Sequence, residues 1–265
     1  MKAAQVHAVL AGGVSDPRRL AEWAAEPQAL QALGVDPASL DLRALRGFAG
    51  LALEVRHNGL RDALPHSFRL MQVAGIEIEL FADYALALAR TGTRLASTDA
   101  GRAQALIEFV RDWHEPGVEV HAMLWDLLRH EQALLELDRP VEAEAWTSAP
   151  PMPGAVLRVR GAMRLHEMQH DPAAIVMALR QRQPDLQAVA PAPRALCYWR
   201  PPGETGVRVV ELDAFGFAAL QAAQARCRVC ELSLAMGRSA RVPAAVRALL
   251  LHLQQAGLLD FERAP

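Results

Sequence analysis

Apolar positions in the first half of the chain recur at intervals of three and four, the spacing that gathers side chains on one face of a helix. Leu42, Leu45, Phe48, Ala49, Ala52 and Val55 keep that period, as do Phe81, Tyr84 and Leu88 beyond a break at Gly75. A later pair repeats it, with Ala105, Ile107, Phe109 and Val110 before the turn Glu115-Pro116-Gly117 and Val120, Leu124, Leu127, Leu128 and Leu134 after it. From Asp16-Pro17 to Leu137 the text reads as successive helices, and Asp36-Pro37 supplies a cap followed by a first-turn proline. These stripes predict a helical bundle over residues 1–140.

The period then changes. Residues 141–154 turn to Pro, Ala, Ser and Thr and end in Ala149-Pro150-Pro151-Met152-Pro153-Gly154, which cannot continue a helix and reads as a linker. Val156 to Leu165 alternates with period two, a strand, and Pro172 to Gln181 is helical before a proline-rich joint from Pro184 to Pro193. Ala195–Arg200 and Gly206–Leu212 flank Pro201-Pro202-Gly203-Glu204-Thr205 and predict a hairpin. Asp213 caps the first of three closing helices, Ala214–Ala225, Arg228–Met236 and Pro243–Ala256, with Gly237 and Gly257 as stops and an extended tail at Leu258–Phe261. The fold class is thus α+β, an N-terminal helical bundle followed by an α/β module over residues 155–265 with a winged-helix-like unit. Its last strand, Val207–Leu212, is expected to leave an edge that can accept a peptide strand.

Composition narrows the class. The chain has 265 residues, enough for two modest domains, and 52% hydrophobic with 22% charged residues is the balance of a chain that buries a core. Arginine supplies nearly all the positive charge, Lys2 being the only lysine, and the formal net charge of -2 gives no broad field for phosphate backbones. No stretch approaches the ~20 apolar residues of a membrane helix, and the weak apolar run before Gly13 is no secretory signal, so a cytoplasmic location is expected. Three cysteines, Cys197, Cys227 and Cys230, do not make a disulfide framework.

Candidate chemistry is sparse. His166-Glu167-Met168-Gln169-His170 matches H-E-x-x-H, but zinc hydrolysis requires that motif on a helix, whereas Val156–Leu165 reads as strand and no glutamate follows before Glu204. The motif is read as a solvated strand end. Cys227-Arg-Val-Cys230 lacks a second pair to complete a zinc site and lies between two helices rather than after a strand, so both thiols are expected to pack as small apolar groups. His57, His66, His114, His121 and His130 do not gather on one face with carboxylates, and Trp113, Trp125 and Trp199 are expected to be core or interface anchors. No phosphate loop, dinucleotide fingerprint or nucleophile elbow is present. A self-sufficient enzyme is disfavoured, no catalytic residue or metal ligand is assigned, and no cofactor is expected in this chain.

Arg56-His57-Asn58, Ala63-Leu64, Phe68, Gly75, Phe81 and Tyr84, followed by Gly101, Phe109 and Asp126-Leu127-Leu128-Arg129-His130-Glu131, resemble a known family. It is similar to the partner subunits of multinuclear non-heme iron-dependent oxidative enzymes, such as the partner proteins of methanobactin and 3-thiaglutamate biosynthesis. Arg69 follows Phe68 where that family often has proline, and Val55 stands where an aromatic commonly precedes the Arg-x-Asn segment. The resemblance implies a subunit that binds a ribosomally made precursor peptide while a companion enzyme carries iron and modifies the peptide's cysteine. By the same analogy the peptide lies beside Val207, Val209 and Glu211 and packs on the last helix through Val246, Leu250 and Leu253. The rival reading is a winged-helix DNA-binding regulator using Arg226, Arg228, Arg238, Arg241 and Arg247. A third, a metal-dependent hydrolase, would use His166, Glu167 and His170.

Overall fold

Helix starts follow from a few side chains that satisfy first-turn N–H groups, or from prolines that have none to satisfy. The computed structural model describes residues 7, 9–13, 17–91, 96–138, 150–235 and 243–262, and the chain divides into two compact units, Met1–His114 and Glu115–Pro265. The first contains α1 (Pro17–Ala25), α2 (Gln28–Ala32), a short 3-10 turn (Pro37–Ser39), α3 (Leu42–Ala63), α4 (Pro65–Ala74), α5 (Glu77–Thr91) and α6 (Asp99–Trp113). Asp41 caps α3 by accepting from the Ala44 N–H at 2.9 Å, and Thr98 caps α6 by accepting from Gly101 at 3.2 Å. Gly75 ends α4 in the left-handed conformation at φ 73°, the break its position predicts.

A chain of rings forms one part of this unit's interior. His57 stacks on Phe81 at 4.2 Å, Phe81 meets Phe68 at 5.5 Å and Tyr84 at 6.3 Å, and Tyr84 meets Phe109 at 5.2 Å. Rings so spaced add about 0.5–1.5 kcal/mol per pair beyond the area they bury. Trp113 donates from its indole to Asp83 at 3.0 Å, so its polar edge is satisfied where its body is packed.

The second unit opens with α7 (Glu119–Glu136) and continues through β1 (Val156–Val159), β2 (Ala162–Met168), α8 (Pro172–Leu179), β3 (Arg194–Arg200), β4 (Arg208–Leu212), α9 (Ala214–Gln224), α10 (Val229–Ala235), α11 (Ala244–Gln255) and β5 (Leu259–Glu262). The fold is therefore mixed α+β. Two antiparallel sheets are present, β1 with β5 and β2-β3-β4 in that order. The stretch read as one strand from Val156 to Leu165 is two, because Gly161 turns the chain at φ 81°. A Cβ there would lie 2.2 Å from the Arg200 carbonyl oxygen, so only glycine fits the corner. The extended tail becomes β5, with Leu157 opposite Phe261 and Val159 opposite Leu259.

Strand alternation gives the three-stranded sheet two buried faces. Met163, Cys197 and Trp199 join Leu157, Leu220, Val229, Leu250, Leu253, Leu259 and Phe261 in one core. On the opposite face Met168, Leu196 and Tyr198 pack with Ala133 and Leu137, at and just beyond the end of α7. That helix, assigned from sequence to the bundle ending at residue 140, thus belongs to the second unit and covers its sheet. Of the expected linker, residues 141–149 lie outside the described residues. Among the described residues, no helix is long and apolar enough to cross a membrane.

Candidate functional site

The hairpin pairs β3 with β4 so that Ala195 faces Leu212, Cys197 faces Val210 and Trp199 faces Arg208, with Tyr198 opposite Val209 and Leu196 opposite Glu211 between them. In an antiparallel ladder, alternate residues direct their N–H and C=O groups to alternate sides. The Met163 and Glu167 carbonyls on β2 point away from β3, since they accept from Gln224 and Arg129 side chains. Their β3 partners Trp199 and Ala195 consequently bond toward β4. It follows that Arg208, Val210 and Leu212 close the β3–β4 ladder, while the backbone groups of Val209 and Glu211 point outward. β4 is the terminal strand of its sheet. It offers there a row of donors and acceptors of the kind an added strand uses.

The two edges of this sheet differ. On β2, the Gln224 amide reaches the Met163 carbonyl at 3.3 Å and Arg129 reaches the Glu167 carbonyl at 2.6 Å, two side chains that occupy acceptors an incoming strand would need. No such side-chain cap onto the outward backbone of Val209 or Glu211 occurs among the described residues. Val209 is 45% exposed, and Glu211 is exposed and ion-paired with Arg194. Val207 immediately precedes β4 and packs, half-buried, against the cluster that holds Tyr198.

The other three residues assigned to peptide contact are placed differently. Val246, Leu250 and Leu253 are 7%, 0% and 4% exposed and lie in the core with Trp199, Leu259 and Phe261. Their three-and-four spacing does mark the apolar face of α11, but that face is already covered by the unit's own strands and helices. An exposed aromatic that the sequence reading did not single out is Phe215, 55% exposed in the first turn of α9 and three positions beyond β4. Its signal was available: Asp213 caps the helix by accepting from Gly216 at 2.7 Å, which fixes the first turn at the end of the edge strand.

The H-E-x-x-H residues lie on a strand and its exit. His166 alternates inward, its ring 5.7 Å from the Tyr198 ring, and the phenol hydroxyl of Tyr198 is 2.8 Å from His130 Nδ1. Burial, more than the nearby Arg129, holds the His166 pKa down at about 4, so the ring is neutral at pH 7. His170 is not a solvated strand end: it is 2% exposed, with Nδ1 3.2 Å from Asp126 Oδ2. Asp126 is itself fully buried and also accepts from the Gln169 and His170 N–H groups at 3.0 and 2.8 Å and from Arg129 at 2.8 Å. That carboxylate therefore fastens α7 to the end of β2. Among the described residues, no three His, Cys, Asp or Glu side chains are grouped to hold a metal.

Cys227 and Cys230 are half-buried free thiols whose backbones staple the start of α10 to the segment entering β1, with Leu157 N–H donating to the Cys227 carbonyl and Cys230 N–H donating to that of Pro153. Burial pushes the Cys197 thiol up to about 12, which leaves it an inert core group. Among the arginines that suggested DNA binding, Arg226 is ion-paired with Glu262, and Arg238 and Arg241 lie outside the described residues. No family model matches this chain, and no curated protein matches it.

Proposed function

We propose that this chain is the non-catalytic partner subunit of a multinuclear non-heme iron-dependent oxidative enzyme, and that it holds a ribosomally made precursor peptide as a strand added to β4. The observation that carries the reading is the uncapped outer edge at Val209 and Glu211, on a sheet whose other edge is capped by Gln224 and Arg129. Main-chain bonds along such an edge supply part of the affinity for an extended peptide, and flanking side chains supply the rest together with the selectivity. Val207, Val209 and Glu211 keep the role the sequence suggested, and Phe215 replaces Val246, Leu250 and Leu253 as the apolar contact. In this reading the second unit is a winged-helix-like recognition module, and the first unit, a helical bundle, engages the companion enzyme in the cytoplasm. Iron belongs to the companion, whose oxidative chemistry acts on the peptide's cysteine.

Co-expression tests the division of labour. The companion enzyme with this chain should modify its peptide, and the companion alone should bind and modify it at least tenfold less well. Equal modification without this chain rejects the role. Duplex DNA binding that falls steeply with salt, in place of peptide binding, would favour a winged-helix regulator instead.

A further inference from the structure

A second site stands apart from the β4 edge and does not depend on a peptide strand being added there. At the corner between β1 and β2 a cleft of about 400 Å³ is lined by three arginines drawn from three places in the chain: Arg158 of β1, Arg164 of β2 and Arg226 just after α9. Arg158 and Arg226 converge on one oxygen, Oε2 of Glu262, at 3.2 and 2.8 Å, while Arg164 bonds Glu136 and the Met163 carbonyl. Arg226 is held to Glu262 through Nη2 alone, and a guanidinium carries five N–H donors in a fork that matches two carboxylate oxygens, so it has others to offer a second anion. Arg226 is also the sole non-glycine residue with positive φ among the described residues, at 56°. Its N–H bonds to Ala223 and that of Cys227 to Ala222, the C-terminal motif whose left-handed position glycine fills without strain. An arginine there keeps a cation at the cleft at a conformational cost that glycine would remove.

We propose that this cleft binds a carboxylate-bearing peptide segment, with Arg226 and Arg164 taking the carboxylates. Charge complementarity selects the anion, and three guanidinium groups spread along an open cleft match several carboxylates on one chain segment better than a single phosphate. Titration of the full-length protein with a fluorescent glutamate-rich hexapeptide, its glutamine counterpart and inorganic phosphate tests the proposal. Binding of the glutamate peptide alone is expected, weakening severalfold between 50 and 200 mM salt, on the order expected when a few charge pairs form. Arg226→Gly should reduce affinity about tenfold, the loss of one charge-assisted contact, while the melting temperature stays level or rises because backbone strain is relieved. Arg158→Gln should also weaken binding, and Val209→Pro should leave it unchanged, which separates this site from the β4 edge. Equal binding of both peptides, binding of phosphate only, no binding at all, or full affinity in Arg226→Gly would each overturn the proposal.

Discussion

Three residues show how much single side chains decide. Gly161 combines φ 81° with a backbone oxygen where a Cβ would stand, so Gly161→Ala is expected to cost about 2 kcal/mol or more, read as a lower urea midpoint at unchanged slope. Asp126→Ala would take from Arg129 its carboxylate partner and leave the buried His170 N–H without its acceptor, and should cost about 3–5 kcal/mol by the same measurement. His166 makes stability pH-dependent. Its folded pKa of about 4 lies below the ordinary 6.5, so the unfolded chain binds the proton more tightly. The stabilisation from keeping the ring neutral is present above pH 6.5 and is lost as pH falls toward 4. Chemical denaturation of the wild type should show that decline, and His166→Gln should flatten it.

At the scale of elements, the ladder parity within β4 turns neighbouring positions into opposite experiments. Val209→Pro removes an N–H that faces outward, a placement proline tolerates on an edge strand, so peptide binding should fall at least tenfold with little change in melting temperature. Val210→Pro removes an N–H that closes the β3–β4 ladder, and should lower the melting temperature itself. Similar behaviour of the two variants would refute the assignment of outward groups. The edge strand and its turn were legible in the sequence because proline and glycine between two apolar runs leave a hairpin as the short solution. What packs against the last helix was not legible. The Val246, Leu250 and Leu253 stripe announces a buried face without naming what buries it, and β5 and α9 reach it first.

For the whole molecule, the position of α7 changes what counts as a domain. A fragment of residues 115–265 keeps α7 over Leu196, Tyr198 and Met168 and should unfold cooperatively. A fragment beginning at residue 150 bares that sheet face and removes Asp126 from the end of β2, so it should bind hydrophobic dye and aggregate. Cooperative unfolding of the shorter fragment would show that α7 is dispensable. Helical periodicity placed α7 correctly as an element but assigned it to the preceding helices, because an amphipathic stripe is the same whether its partner is a helix or a sheet.

Local chemistry is what the sequence by itself determined: the helices with their Asp and Pro starts, the hairpin, and the extended run before His166 that argues against a helical zinc motif. These depend on contacts within a few residues, which periodicity and capping record. Tertiary structure decided the corner at Gly161, the pairing of β1 with the chain's final strand, the burial of His170 against Asp126, and the convergence of Arg158, Arg164 and Arg226 on one cleft. The β1–β5 pairing, the His170–Asp126 contact and the approach of Arg226 to Arg158 and Arg164 join residues from about 40 to more than 100 positions apart, and the corner turns on a backbone oxygen brought close by packing. Distance along the chain carries no signal of that proximity.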